Sequence, residues 1–159
     1  NGKVRPCVHQ AHERGVLFEV GHGGGSFVFE QAMPALEQGF LPDMISTDLH
    51  TGSMNAGMKD MLNVMSKFLN MGMPLEDVIA RSSWAPAVHL HREELGHLSV
   101  GAHADIAVLN LKEGDFGFTD VRGWKIQGDK KLECELTLRD GKVVWDLNGL
   151  SMQEWQTSK

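Results

Sequence analysis

The sequence predicts an α/β fold in which strand–helix units lead into an all-β part, and three observations carry that prediction. The apolar run Met44-Ile45-Ser46-Thr47 stops on Asp48, with His50 two residues later and an amphipathic helix next. Before it, Val16-Leu17-Phe18-Glu19-Val20 runs into Gly21-His22-Gly23-Gly24-Gly25 and again a helix. Past about Arg92 the helical spacing gives way to alternation, with Leu132, Cys134, Leu136 and Leu138 set against Glu133, Glu135 and Thr137. Two consecutive units with polar groups at matching strand ends read as one rim of an active site, because the C-terminal tips of barrel strands are where such folds keep their chemistry.

Each element has a local reason. Residues 6–14 read as a short helix stopped by Gly15. The strand 16–20 and the glycine loop follow. Ser26 is the expected cap of a helix over 27–38, closed by Gly39, with Pro34 inside it as a kink. A second strand covers about 44–47. Met58, Met61, Leu62, Met65, Phe68 and Leu69 recur at three- and four-residue spacing and define a buried helical stripe that Gly72 ends. Unbranched Met fills irregular gaps, so the stripe reads as core rather than as a cofactor box. Pro74 suits the first position of the next helix, with Glu76 and Asp77 in its first turn where the helix dipole favours them. Trp84-Ala85-Pro86-Ala87 breaks that helix and starts a further short turn. In the second part, residues 104–111 form a β-rich run, Asp140-Gly141 signals a hairpin, and 142–145 is the return strand. The last dozen residues are polar and expected to be loosely held. No longer internal repeat is evident. The division is placed between an α/β part, 1–92, and an all-β part, 93–159.

Composition narrows the function classes. The chain has 159 residues, enough for one ordinary domain but short of the roughly 250 of a complete eight-fold barrel. It begins at Asn1 rather than Met, which suits a piece of something longer. Hydrophobic content of 42% is globular. A formal charge of −6 gives no reason to expect nucleic acid or an anionic membrane as partner. Cys7 and Cys134 lack CxxC spacing, which speaks against a disulfide framework and for a reducing compartment. No apolar stretch approaches the ~20 residues that span a bilayer, and no signal peptide is visible. A soluble, cytoplasmic chain is expected.

Val16-Leu17-Phe18-Glu19-Val20-Gly21-His22-Gly23, Ile45-Ser46-Thr47-Asp48-Leu49-His50, Ser83-Trp84-Ala85-Pro86-Ala87 and residues 98–109, with Val100-Gly101-Ala102-His103-Ala104-Asp105 at their centre, occur in that order. Together with Arg139-Asp140-Gly141-Lys142-Val143-Val144, they give a chain that resembles the C-terminal half of a metal-dependent amidohydrolase, closest to the dihydroorotase-like deacetylase branch. The resemblance implies the C-terminal part of a (β/α)8 TIM-type barrel, followed by a small β-sandwich assembled from both chain ends. It also implies one or two divalent metals, zinc the expected ion, and a small-molecule substrate.

Asp48 matches the family's final-strand Asp, which contacts the metal and serves as general base. The resemblance therefore implies a catalytic and a metal-contacting role for Asp48. A divalent metal lowers the pKa of its bound water towards ~7, and a nearby carboxylate takes the proton during attack and returns it to the leaving group. Read by itself, Asp48 could equally cap its own loop through the backbone. His22 tempts a metal-ligand reading, since imidazole is a common donor. One helix separates its strand from that of Asp48, however, and the family's paired later His ligands come from earlier strands. His22 is therefore expected to face the substrate or support the site, against a plain structural His. Gly23 and Gly24, with Gly25, let the backbone approach a ligand closely, and with a helix following, their amides could hold a carboxylate. The turn lacks the lysine of a P-loop and the spacing of a dinucleotide fingerprint, so a flexible turn is the default. His50 either faces the pocket or points to solvent. His22, Gly23, Gly24 and His50 are thus the candidate substrate-binding residues. His9, His12, His89 and His91 have near-helical spacings, but no acid or Cys completes a site around them.

The family's first-strand His-x-His, its bridging carboxylated Lys and its two later His ligands have no counterpart and would lie upstream of Asn1. A lone Asp does not hold a catalytic metal, which takes three or more protein ligands. The chain alone is expected to be inactive and to bind metal weakly. Its open sheet edges would call for an N-terminal barrel half or for self-association. The complete enzyme would hydrolyse an amide or ester bond of a small N-acyl or O-acyl carboxylate. The alternatives are a cyclic amidohydrolase of the dihydroorotase or hydantoinase type, a non-catalytic binding module and a split-barrel module.

Overall fold

A computed structural model of the chain describes residues 2–156. Pro6 opens helix α1 (Pro6–Glu13), whose end is closed by Gly15 N–H donating to the His12 carbonyl and Val16 N–H to that of Ala11. That closure holds Val16, so the first strand starts later than its apolar run suggests. β1 is Glu19–Gly21, and Val16 and Leu17 are exposed ahead of it. Asp43 fixes the start of pairing: its carboxylate accepts the Phe18 N–H at 2.7 Å, and its own N–H donates to the Phe18 carbonyl at 2.8 Å. β2 (Met44–Ser46) then runs parallel to β1, with Val20 opposite Ile45 and Gly21 opposite Ser46. Parallel pairing brings the C-terminal tips of both strands, and the residues following them, to one end.

Between the strands lies α2 (Phe29–Glu37), with Pro34 inside it. Its cap is not the expected Ser26. Val28 holds the cap position and offers no side-chain hydrogen bond, while Asp120, 91 residues along the chain, accepts the Phe29 N–H at 3.1 Å. α3 (Met61–Asn70) is capped locally, Asp60 accepting the Asn63 N–H at 2.7 Å. It starts three residues after Met58, which is buried in the preceding loop rather than on the helix. α4 (Leu75–Ser82) has Pro74 at its cap and Glu76 and Asp77 in its first turn, and α5 (Trp84–His89) follows directly.

β3 (Ile106–Thr119) and β4 (Lys125–Arg139) form a long antiparallel hairpin, and β5 (Lys142–Asp146) returns alongside β4. Asp140 and Gly141 both have positive φ, 50° and 71°, as a tight hairpin turn requires. Register shifts at Val108/Leu109, Glu113/Phe116 and Thr137/Leu138 bend the sheet over α3. Asn70 fastens that contact by accepting the Asp129 and Lys130 N–H groups and donating to the Lys130 carbonyl. The core is shared by both parts: Phe27, Ile45, Val64, Phe68 and Val78 pack with Phe118 and Leu132. Each such side chain contributes about 1.5–3 kcal/mol by leaving water.

The described chain carries a two-stranded parallel sheet and a three-stranded antiparallel one, and neither closes into a barrel or stacks as a sandwich. The start of the tail is pinned rather than loose, because Asp146 accepts the Leu150 and Ser151 N–H groups and the Ser151 hydroxyl. Residues 157–159 of that tail lie outside the described residues. Among the described residues no helix is long and apolar enough to cross a membrane.

Candidate active site

The tips of β1 and β2 meet as their parallel register dictates. Gly23 N–H donates to the Thr47 carbonyl at 2.8 Å, extending the pairing beyond the strands. Asp48 follows with φ 50°, a left-handed conformation that costs a non-glycine residue about 1 kcal/mol or more and persists where its surroundings hold it. Ser53 is what holds it. This buried hydroxyl lies 3.1 Å from the Asp48 and His50 carbonyl oxygens and accepts the His50 N–H at 2.9 Å. The loop is therefore clasped by Ser53, and the Asp48 carboxylate accepts no hydrogen bond among the described residues.

That carboxylate rests on bare glycine backbone. A Cβ added at Gly23 would lie 2.5 Å from Asp48 Oδ2, and one at Gly21 would lie 3.6 Å from Asp48 Cβ. Gly23 itself has φ 50°. Asp48 is exposed on the open side of the turn, with Gly24 and His50 also exposed. His50 Nδ1 accepts the Gly52 N–H at 3.1 Å, which turns its ring back over its own loop.

His22 goes the other way. It is 0% exposed, its ring stacked on Phe27 at a 4.5 Å centroid separation. Its Nδ1 lies 3.0 Å from the Gly23 carbonyl, which can only accept, so Nδ1 carries the proton and Nε2 is the bare nitrogen. Nε2 accepts from Lys67 Nζ at 2.8 Å. Of the two roles expected for His22, facing the substrate or supporting the site, this placement accords with support, since both ring nitrogens are engaged inside the chain. Burial lowers its pKa, with Lys67 adding to the effect, and keeps the ring neutral.

Lys67 also donates to the Gly57 carbonyl at 2.5 Å and is itself 0% exposed. Burial pushes its pKa down to about 8, against the attraction of Asp120. Asp120 is buried and accepts three backbone N–H groups, from Phe29, Arg122 and Trp124. It therefore occupies the start of α2. Neither Lys67 nor Asp120 was anticipated. For Lys67 a signal existed, since it is the only charged residue in the ten of α3.

Asp48 lines neither of two largely apolar cavities. One of about 300 Å³ lies under β1, lined by Val20, Gly21, Phe27, Ala32 and Phe68. Another of about 640 Å³ separates α3 and α4 from β3, lined by Met61, Met65, Ile79, His103 and Leu109. His9 and His12 pack against Phe40, and His12 lies 3.2 Å from Asp43. Among the described residues no cluster of three or more His, Cys, Asp or Glu could hold a metal ion.

The family model of the amidohydrolase family matches residues 29–144. A deacetylase of Brucella anthropi is 42% identical over 109 residues, 69% of this chain and 27% of the relative. Among solved structures, an adenine deaminase superposes with a TM-score of 0.86 at 28% identity, over 91% of this chain and 39% of its own. A dihydroorotase does so with 0.80 at 32%, over 89% and 40%. The chain spans 27–38% of the length of the curated relatives it matches, which fits the C-terminal half that the motifs imply. The amidohydrolase family is generally metal-dependent, and its members act on small molecules. By family match, by identity to deacetylases and by superposition on solved relatives, this chain belongs to the amidohydrolase family, and is by that resemblance a hydrolase.

Proposed function

We propose that the chain carries the proton-transfer group of an enzyme that hydrolyses an amide or ester of a small N-acyl or O-acyl carboxylate, with Asp48 as general base. The observation supporting it is the setting of Asp48: a carboxylate at the tip of a parallel strand, in a left-handed conformation that Ser53 holds, with its oxygens unengaged over glycine backbone. Such a group takes a proton from an attacking water and returns it to the departing amine or alkoxide. Gly24 and His50, exposed beside it, are the groups nearest a substrate in this reading. β1 and β2 are then the last two strands of an eight-stranded barrel, residues 1–92 its strand–helix units, and 93–159 a β-sandwich appendage.

A divalent metal, zinc in this reading, would supply Lewis acidity when bound. The described residues do not by themselves fit it. Asp48 is one candidate ligand, whereas a catalytic site takes three or more. The test is the Asp48→Asn variant of the protein as its gene encodes it, assayed with zinc against N-acetyl amino acids. Turnover should fall at least ~10²-fold with the circular dichroism spectrum unchanged; a fully active variant refutes the assignment. The likeness to a dihydroorotase favours a second reading, opening of a cyclic amide, and including dihydroorotate and hydantoins in the panel separates the two.

A further inference from the structure

We infer that Lys67 is a positioning residue for Asp48, a buried strut joining the two loops between which that carboxylate is set. The inference rests on the reading of Asp48 as the proton-transfer group. One loop follows β1 and supplies Gly23, on whose bare Cα the carboxylate lies. The other follows β2 and contains Asp48, Ser53 and Gly57. From a third element, α3, Lys67 reaches both: Nζ donates to His22 Nε2 at 2.8 Å and to the Gly57 carbonyl at 2.5 Å. His22 passes the constraint on, its Nδ1–H donating to the Gly23 carbonyl at 3.0 Å. Phe27 limits the ring's freedom by stacking on it, and the Lys67 ammonium lies 5.8 Å from the same Phe27 ring. Gly57 in turn is pressed on the hairpin, since a Cβ there would lie 2.6 Å from the Asp120 carbonyl oxygen and 2.7 Å from that of Thr119.

The choice of residue is informative. Both hydrogen-bond partners of the amine are neutral, and a buried ammonium so partnered adds little stability over an apolar side chain of equal volume. What it provides is two directed donors from one atom, which fix the spacing of two loops. A lysine kept only for packing would be replaceable by methionine with no consequence at Asp48.

The test uses Lys67→Met and His22→Asn. Asparagine keeps a donor for the Gly23 carbonyl but loses the acceptor for Lys67, so it cuts the strut at its other joint. Two readouts are taken: the carboxyl ¹³C and amide resonances of residues 48 and 23, and kcat and KM of the protein as its gene encodes it. Each variant is expected to move those resonances and to lower kcat by about 10- to 100-fold with KM within about 2-fold, as a displacement near 1 Å does. The double variant should lose no more than the worse single one, because both cut one path. Unmoved resonances with kcat intact overturn the strut, as does a loss of stability with residue 48 unmoved. If Lys67→Met fails to fold, His22→Asn decides on the same criteria. Should Asp48→Asn keep turnover while Lys67→Met still displaces residue 48, the functional reading falls and the strut stands.

Discussion

Replacing Gly23 by alanine isolates the contact on which the site geometry turns. Two effects are separable. The backbone at φ 50° is accessible to alanine at a cost of about 1 kcal/mol, which lowers the melting temperature by roughly 2–4 °C in a chain of this size. The new methyl would lie 2.5 Å from Asp48 Oδ2 and 3.3 Å from its Cγ, so the oxygen must retreat by about 1 Å to reach ordinary contact. The carboxylate ends a short, rotatable side chain and accepts no hydrogen bond among the described residues, so it swings away at small cost in folding energy. Stability should therefore fall by only about 1 kcal/mol in urea titration, while turnover falls about 10²-fold, the penalty of a misplacement of that size. Gly25→Ala is the control, because nothing lies within 4 Å of its added Cβ and its φ is not positive; it should change stability by less than about 0.5 kcal/mol and leave turnover alone. A Gly23→Ala variant that matches Gly25→Ala in both measurements refutes the reasoning.

Lys67 makes stability depend on alkaline pH. With its folded pKa at about 8 and an ordinary unfolded value of 10.5, the unfolded chain binds more protons between those limits, so stability rises as pH increases from 8 towards 10.5. The gain is at most about 3 kcal/mol. The chain has no Tyr to mask it, and denaturant titrations of the Lys67→Met variant should show the rise gone. Asp120→Ala removes the acceptor of three backbone N–H groups, one of them opening α2, and should cost about 2–4 kcal/mol in the same assay. A cost below about 1 kcal/mol would mean that water replaces the carboxylate.

Local chemistry was legible wherever it acts over a few residues. Gly15 and Gly72 stop their helices, Pro74 starts one, and Asp140-Gly141 turns the hairpin, because each constraint lies in the backbone of that residue. The hairpin's far half was hidden. Lys112, Glu113, Asp115, Lys125, Lys130 and Lys131 crowd residues 112–131, and their charges mask Phe116, Phe118 and Ile126, which face α3 and the core. Ser26 looked like a cap, and was displaced by an acid from a remote turn. The same limit applies to the site. The position of Asp48 at the end of its strand is a local matter, whereas Lys67 and His22 meet across 45 residues, and a lysine's burial is set by what packs around it.

The carboxylate that starts α2 has a consequence for how the chain is made. Its donor and acceptor are 91 positions apart, so at ordinary translation speeds of about 5–20 residues per second the helix leaves the ribosome some 5–20 s before its partner exists. Through that interval the first turn of α2 keeps an N–H that only solvent can satisfy, beside aromatic groups that the hairpin has yet to cover. Until residue 120 is made, that end of α2 and the apolar side chains beneath the hairpin face solvent, which makes this stretch a natural place for a chaperone to bind during synthesis.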